Sequence, residues 1–486
     1  MIPTKNGDRS IFCPNNYDST MTDQSRRRFL AGLGAVSAAA LSPLASRLAV
    51  ADARAAAVAV SGYGPLQPDP QGILNLPEGF HYRVISRTGQ KMDDGFVVPG
   101  RPDGMHAFPA ARGRTNLVRN HELNPGSGDT AFRAMKGQLS DVQLARIYDP
   151  GAGRGGVTTL VVDTAGGTVE NQFLTLAGTL RNCSGGATPW GSWISCEEIV
   201  IGAGQYGARR EHGYNFEVPA AATSLVEPLP LKAMGRFNHE AVAVDARTGV
   251  VYQTEDREDS LLYRFLPRER GRLAAGGRLQ ALAIRDLPAV DTGNRRDAAN
   301  AFALGRPYSV DWVDLDDVTS PNDDLRHQGR TRGAAVFVRG EGMTVETDVA
   351  GGGTCIWFVC TTGGPHGLGQ LWCYRPAAGE SGDAERRRAG TIELGVEPRN
   401  IDLLHNGDNL TLAPFGDLLV CEDNPVAQHI VGITATGGMY RVAANARRDS
   451  EFAGATFSAD GSTLFVNLQK PGLTFAVKGP WNARRA

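Results

Sequence analysis

One short hairpin recurs in this sequence with a fixed form. Ala241-Val242-Ala243-Val244 passes through a turn ending at Thr248-Gly249 into Val250-Val251-Tyr252-Gln253-Thr254 and closes on Glu255-Asp256. Leu410-Thr411-Leu412-Ala413, the turn Pro414-Phe415-Gly416-Asp417, and Leu418-Leu419-Val420-Cys421 closing on Glu422-Asp423 repeat that form. Ala455-Thr456-Phe457 through Asp460-Gly461 to Thr463-Leu464-Phe465-Val466 repeats it again, with the amide Asn467 in place of the acid. A two-stranded unit this small cannot bury its own apolar face, so it must stack on copies of itself. Such hairpins repeated around a chain read as blades of a β-propeller. A β-sandwich contains similar hairpins but gives no reason for an acid at the end of the same strand each time.

The rest of the chain supports an all-β reading. Strand-like runs occur at Val157-Val162, Trp193-Cys196, Leu261-Phe265, Ala335-Val338, Cys355-Thr361 and Gln370-Tyr374, bounded by Gly, Asp and Asn. They are short and rich in β-branched and aromatic residues, and convincing helical periodicity is missing. With 60 Gly and 27 Pro, turns are plentiful. Less regular segments, roughly 123–151, 199–232, 267–331 and 376–388, read as loops on one face, where binding surfaces are usually built. No break in composition demands a second domain, so residues 58–486 read as a single propeller.

The head of the chain is a targeting segment. Ser25-Arg26-Arg27-Arg28-Phe29-Leu30 is a twin-arginine signature, followed by an apolar run to about Leu44 and small residues from Ala49 to Ala57. That order of basic, apolar and small reads as a signal region over residues 1–57, and because Met21 stands just ahead of the signature, residues 1–20 are expected to be an upstream over-extension of the start. The expected location is periplasmic or secreted, reached through the twin-arginine export machinery, which carries proteins already folded. No later run is long and apolar enough for a transmembrane segment. With 50 Lys+Arg against 52 Asp+Glu and no basic block, nucleic acid is not an expected partner, and the chain is expected to act as a monomer. Of seven cysteines, Cys13 precedes the mature chain. Most of the others lie in apolar runs and read as buried thiols, with one bridge expected among Cys355, Cys360 and Cys373.

Carboxylates follow apolar runs in several motifs: Asn120-His121-Glu122, Cys196-Glu197-Glu198, Asn238-His239-Glu240, Glu255-Asp256, Arg339-Gly340-Glu341 and Glu422-Asp423-Asn424. In a propeller, equivalent strand ends converge on one channel. Like carboxylates brought together raise one another's pKa or demand cations, and hard oxygen donors suit Ca²⁺, Mg²⁺, Mn²⁺ or Fe³⁺. Any one of these acids alone reads as a surface turn residue; their repetition in one register shifts the balance. A softer donor, Cys183, stands on a glycine-rich turn in Asn182-Cys183-Ser184-Gly185-Gly186, and the same segment ends on Glu197 and Glu198. His121 and His239 serve as ligands, as partners to a ligand acid, or as packed residues, the second being favoured. Asn120 and Asn238 are candidates to hold substrate or metal. Arg399 either grips an anionic oxygen with its planar fork or makes a surface salt bridge. Asp402, Asp408 and Asn409 are loop ligands or turn residues.

These motifs resemble the PhoX-type alkaline phosphatases and their relatives. The resemblance rests on the twin-arginine leader, Asn120-His121-Glu122, Asn182 to Glu198, Gly235-Arg236-Phe237-Asn238-His239-Glu240, Leu410 to Asn424, and Phe457 to Trp481. It implies a six-bladed propeller whose channel holds an iron–calcium centre acting on a phosphate monoester. Carried onto this chain, Cys183 would bind iron, Glu122, Glu198 and Glu240 would be the leading acid ligands, and Glu341 and Glu422 would follow, with Fe³⁺ and Ca²⁺ as cofactors. The stretch Tyr252 to Asp259 departs from the family pattern and marks a sister branch.

The implied chemistry is metal-assisted hydrolysis, in which clustered cations neutralise the ester's oxygens and activate an oxygen nucleophile. A serine route has no support, since Gly-x-Ser-x-Gly is absent. Two alternatives stand beside it. One is another calcium-dependent propeller hydrolase, a phosphodiesterase or lactonase. The other is a non-catalytic binding propeller that uses calcium as structural glue.

Overall fold

The computed structural model describes residues 58–134, 139–295, 301–349, 353–377, 380, 390–448 and 450–484. The twin-arginine region and Cys13 lie outside the described residues. Within them the chain is nearly all β. Six hairpins follow one another: Pro102–Ala110 with Arg114–His121, Asn182–Ala187 with Ser192–Glu197, His239–Val244 with Val251–Glu255, Gly340–Val349 with Gly353–Cys360, Gly407–Leu412 with Leu418–Glu422, and Phe452–Phe457 with Thr463–Leu468. The first strand of each packs against the first strand of the next, and the sixth packs back on the first, so six inner strands close a propeller-like ring.

Outward of each hairpin the chain adds antiparallel strands, giving five sheets. Two of these units are fused into one nine-stranded sheet, because Pro307–Asp314 pairs with Gly277–Ile284 on one side and Thr391–Val396 on the other. The core lies between neighbouring sheets. Tyr252, Phe337, Phe358 and Trp372 are buried together in one such layer, and each side chain of this size contributes about 1.5–3 kcal/mol on burial. The ring is latched by chain ends: His81–Arg87 pairs with Leu473–Lys478, and Phe80 stacks edge-on against Trp481 at 4.8 Å.

Each hairpin carries an irregularity at the same place. Three steps along the inner strand oppose two along its partner, between Pro102 and Met105, Asn182 and Gly185, His239 and Val242, Gly340 and Met343, Gly407 and Leu410, and Ala453 and Thr456. A β-bulge of this kind re-aims side chains. The inner strands also approach closely. A Cβ on Gly186 would lie 2.0 Å from the Val242 carbonyl oxygen, and one on Gly454 (φ +63°) would lie 2.3 Å from that of Asp103.

Several local expectations change. Cys183 is the second residue of an inner strand rather than part of a turn, and the turn lies at Thr188–Gly191. Ala335-Val338 makes only isolated bridges, Phe337 to Ser260 and Val336 to Asp291, because those partners come from separate loops. Residues 267–331 contain two full strands, whose charged outer residues hid their alternation, and the short helix Leu325–Thr331. Another short helix spans Asp141–Ala145. Cys355 and Cys373 form the disulfide, while Cys196, Cys360 and Cys421 are buried thiols.

Candidate metal centre

The bulges present one residue per inner strand at equivalent positions: Asp103, Cys183, Glu240, Glu341, Asp408 and, in the sixth, Gly454. Five of the six are therefore acids or a thiol. A second tier comes from the ends of the partner strands: Glu122, Glu198, Asp256 and Asp423 directly follow His121, Glu197, Glu255 and Glu422. Glu451 enters just ahead of the sixth inner strand.

All of these donors except Asp256 form overlapping groups whose ligand atoms lie within 4.8 Å of one another: Cys183, Glu198 and Glu240; Asp103, Glu122 and Glu451; Glu240, Glu341 and Asp408; Asp408, Asp423 and Glu451. The Cys183 Sγ is 3.7 Å from Asp103 Oδ1, which joins the first two groups. Glu240 is fully buried, and neither of its carboxylate oxygens has a hydrogen-bond partner. An ionised carboxylate in that position costs several kcal/mol unless a cation compensates it, so the residues present fit a multi-cation centre of oxygen donors with one thiolate.

Crowding shows in the titration. Burial, then Glu198 and Asp408, push Glu240 well above the usual carboxylate range. Burial with Glu122 and Asp408 does the same to Asp103, and burial with Asp256 and Asp408 to Glu341. Burial raises Glu198 as well, opposed by Arg181. Asp408 is carried up to about 7 by burial and Asp423. Burial and the acids around it, Asp103 first, lift the Cys183 thiol.

Arginines rim the acids. Arg181 contacts Glu122 at 3.1 Å and also pairs with Glu198, and Arg101 reaches Glu122 at 3.4 Å. Arg339 clasps Asp256 with two bonds of 2.8 Å and donates to Glu341 at 3.0 Å. Arg101, Arg181 and Arg339 each sit immediately before an inner strand at positive φ, 45°, 43° and 52°. Left-handed backbone costs roughly 1–2 kcal/mol at a non-glycine residue, and such strain gathers at functional sites. Beyond the acids, toward the far end of the ring, lies a cavity of about 350 Å³ lined by Ser184, Gly186, Val242, Met343 and Leu410 among others.

Glu122, Cys183, Glu198, Glu240 and Glu341, all expected from the sequence, come together here. Glu197 and Glu422 do not fall in the four groups. Glu197 accepts from the N–H groups of Leu180, Gly213 and Tyr214 and from His212 Nδ1 at 2.6 Å. Glu422 accepts from the N–H groups of His405 and His429 and from His429 Nδ1 at 2.8 Å. Asn120 donates to the carbonyls of Cys183 and Ser184 and accepts from Trp193 Nε1, so it braces the thiol-bearing strand. Arg399 is exposed after strand Thr391–Val396. His121 has both ring nitrogens engaged, by the Gly100 carbonyl and Thr158 Oγ1, and His239 stacks on Phe237 at 3.6 Å, so both are packed residues. Asn238 accepts from Arg257, Asn409 donates to Asp408, and Asp402 is exposed.

Asp103 and Glu451 escaped the sequence reading altogether. Asp256 and Asp423 stood in its motifs but behind the acids chosen. The missed signal was a register: a ligand-type residue one place into each inner strand, as in Pro102-Asp103, Asn182-Cys183, His239-Glu240, Gly340-Glu341 and Gly407-Asp408.

Fold and site together define an all-β, propeller-like protein with an acid-crowded centre. The chain belongs to the alkaline phosphatase PhoX family, whose profile matches residues 61–472. Among solved structures it is similar to Pseudomonas fluorescens PhoX in complex with vanadate, a transition state analogue, at 16% identity and TM-score 0.60, covering 87% of this chain and 98% of that one. A gluconolactonase from Xanthomonas campestris also aligns, at 12% identity and TM-score 0.38, over 86% of this chain and 98% of that one. No curated protein matches the sequence. Among the described residues no helix is long and apolar enough to cross a membrane.

Proposed function

We propose that this protein is an exported phosphatase that hydrolyses phosphate monoesters at an iron–calcium centre on the axis of a six-bladed β-propeller. Six equivalent bulged hairpins in a closed ring support that blade count, with residues 58–486 forming one catalytic domain. The observation that carries the reading is Glu240: a fully buried carboxylate with no donor, at the junction of two ligand groups, in a chain of the PhoX family.

In this reading Cys183 would hold iron, and the acids of the four overlapping groups, Glu198 and Glu240 among them, would hold iron and calcium between them. Bound cations supply the charge that neutralises phosphoryl oxygens and lowers the pKa of an attacking oxygen. The chain's own contributions are separate. Arg101, Arg181 and Arg339 keep their guanidinium groups partly exposed beside the acids, where forked donors suit phosphate oxygens and orient the ester. Asn120 fixes the backbone that carries Cys183, and Trp193 locks Asn120 in turn. Export through the twin-arginine route to the periplasm or beyond fits a protein that must be loaded before it crosses.

The test is elemental analysis of protein exported from its native host, with p-nitrophenyl phosphate hydrolysis measured with and without added Ca²⁺. Iron, calcium and Ca²⁺-dependent turnover are expected. Cys183→Ala is expected to lose iron and most activity with the fold intact; undiminished iron in that variant would remove the thiolate from the centre.

A further inference from the structure

The dipeptides that close the second strands divide their labour. In His121-Glu122, Glu197-Glu198, Glu255-Asp256 and Glu422-Asp423 the second residue faces the centre. The first sits opposite the residue that opens the bulge: His121 to Pro102, Glu197 to Asn182, Glu255 to His239 and Glu422 to Gly407. All four first residues are buried. Their partners come from outside the hairpin. Glu197 is held by Leu180, Gly213, Tyr214 and His212, and behind it Asp149 accepts from His212 Nε2 at 3.2 Å. Glu422 is held by His405 and His429, with Asn424 Nδ2 at 3.5 Å. Glu255 accepts from Tyr263 Oη at 2.7 Å.

Burying a carboxylate is costly, and an apolar residue would fill the same volume more cheaply. A carboxylate does what an apolar residue cannot: it ties several backbone N–H groups of neighbouring segments to one point. At Glu197 that point immediately precedes Glu198, whose own N–H donates to the Arg181 carbonyl at 2.9 Å. The backbone is thus clamped on both sides of the peptide that aims Glu198. At Glu422 the same clamp precedes Asp423, whose N–H donates to the Asn406 carbonyl at 2.9 Å.

We propose that Glu197, backed by His212 and Asp149, and Glu422, backed by His429, are positioning residues that aim Glu198 and Asp423 at the cation centre. This rests on the metal part of the function proposed above, not on the identity of the ester. Groups that hold a metal's ligands in place are typically worth about 10–100-fold in metal affinity.

The test is Ca²⁺ titration of the full-length mature protein after chelator treatment, by calorimetry and by thermal unfolding with and without Ca²⁺. Glu197→Gln and Glu422→Gln are compared with Glu217→Gln. Glu217 is a hydrogen-bonded acid of the same sheet as Glu197, which accepts from Trp190 Nε1 and Ser192 Oγ well away from the ligand groups. The two positioning variants are expected to bind Ca²⁺ about tenfold more weakly or worse, and to lose much of the Ca²⁺-induced rise in Tm. Glu217→Gln should lower Tm equally in both states. His212→Gln should fall on the side of Glu197→Gln. Unchanged Ca²⁺ affinity in Glu197→Gln and Glu422→Gln would overturn the proposal. So would loss of secondary structure before any metal is added, which would make these residues folding elements, or a wild-type protein that binds no Ca²⁺. A wild type that binds Ca²⁺ but turns over no ester would leave this inference standing while defeating the phosphatase reading.

Discussion

At Glu240 two carboxylate oxygens are buried without a donor, and Glu198, Asp408 and Asp103 crowd the same space. Replacing it with glutamine removes one ionisable group from that crowd and one ligand from two groups. Glu240→Gln is therefore expected to raise the Tm of chelated protein while lowering Ca²⁺ affinity at least tenfold, read by melting and titration. A lower Tm with unaltered affinity would show that Glu240 is a packing residue. Residues such as Glu198 were legible because an acid directly after an apolar strand is rarely accidental in several repeats. Glu197 and Glu422 carry the same signal and do something else. Adjacent residues at a strand end point to opposite sides, and only the partners on each side, His212 or His429 against a shared axis, separate anchor from ligand.

At the scale of the element, the bulged hairpin is the working unit. Its bulge brings Asp103, Cys183, Glu240, Glu341 and Asp408 into equivalent places, and glycine permits the strands that carry them to touch. Gly186→Ala would press a methyl group to 2.0 Å from the Val242 carbonyl oxygen. Such overpacking against backbone is expected to cost about 3 kcal/mol or more, visible as a reduced denaturation midpoint, whereas a neutral result would mean that the inner strands can part freely. Asp103 and Glu451 were not legible at this scale, since nothing in Arg101-Pro102-Asp103-Gly104 says that it opens an inner strand. The two strands within 267–331 were hidden for a related reason: Arg278, Asp311 and Asp314 stand on half-exposed outer strands, where charge breaks the apolar pattern that marks an inner one.

The whole molecule sets the response to pH and to metal removal. Burial and Asp423 carry Asp408 up to about 7 in the fold, from an ordinary 3.8, and burial among like charges raises Glu240, Glu341 and Asp103 as well. Folded chains thus hold protons that unfolded chains release above about pH 4, so without cations stability falls as pH rises toward and through 7. Cations that bind the ionised groups reverse that loss. Chelated protein is expected to melt lower at pH 8 than at pH 5, and the Ca²⁺-induced rise in Tm should be larger at pH 8. Equal melting temperatures at both pH values after chelation would show that the acids are not crowded in the folded chain.

By itself the sequence determined the all-β class, the hairpin repeat, the thiol at Cys183 and the acids that end strands, because each is written in local spacing and residue type. Tertiary structure alone decided which acids share a centre, which serve as anchors, and how Asp103 and Glu451 join residues hundreds of positions away. Convergence on an axis depends on closing a ring of six inner strands, and no stretch of chain contains that closure.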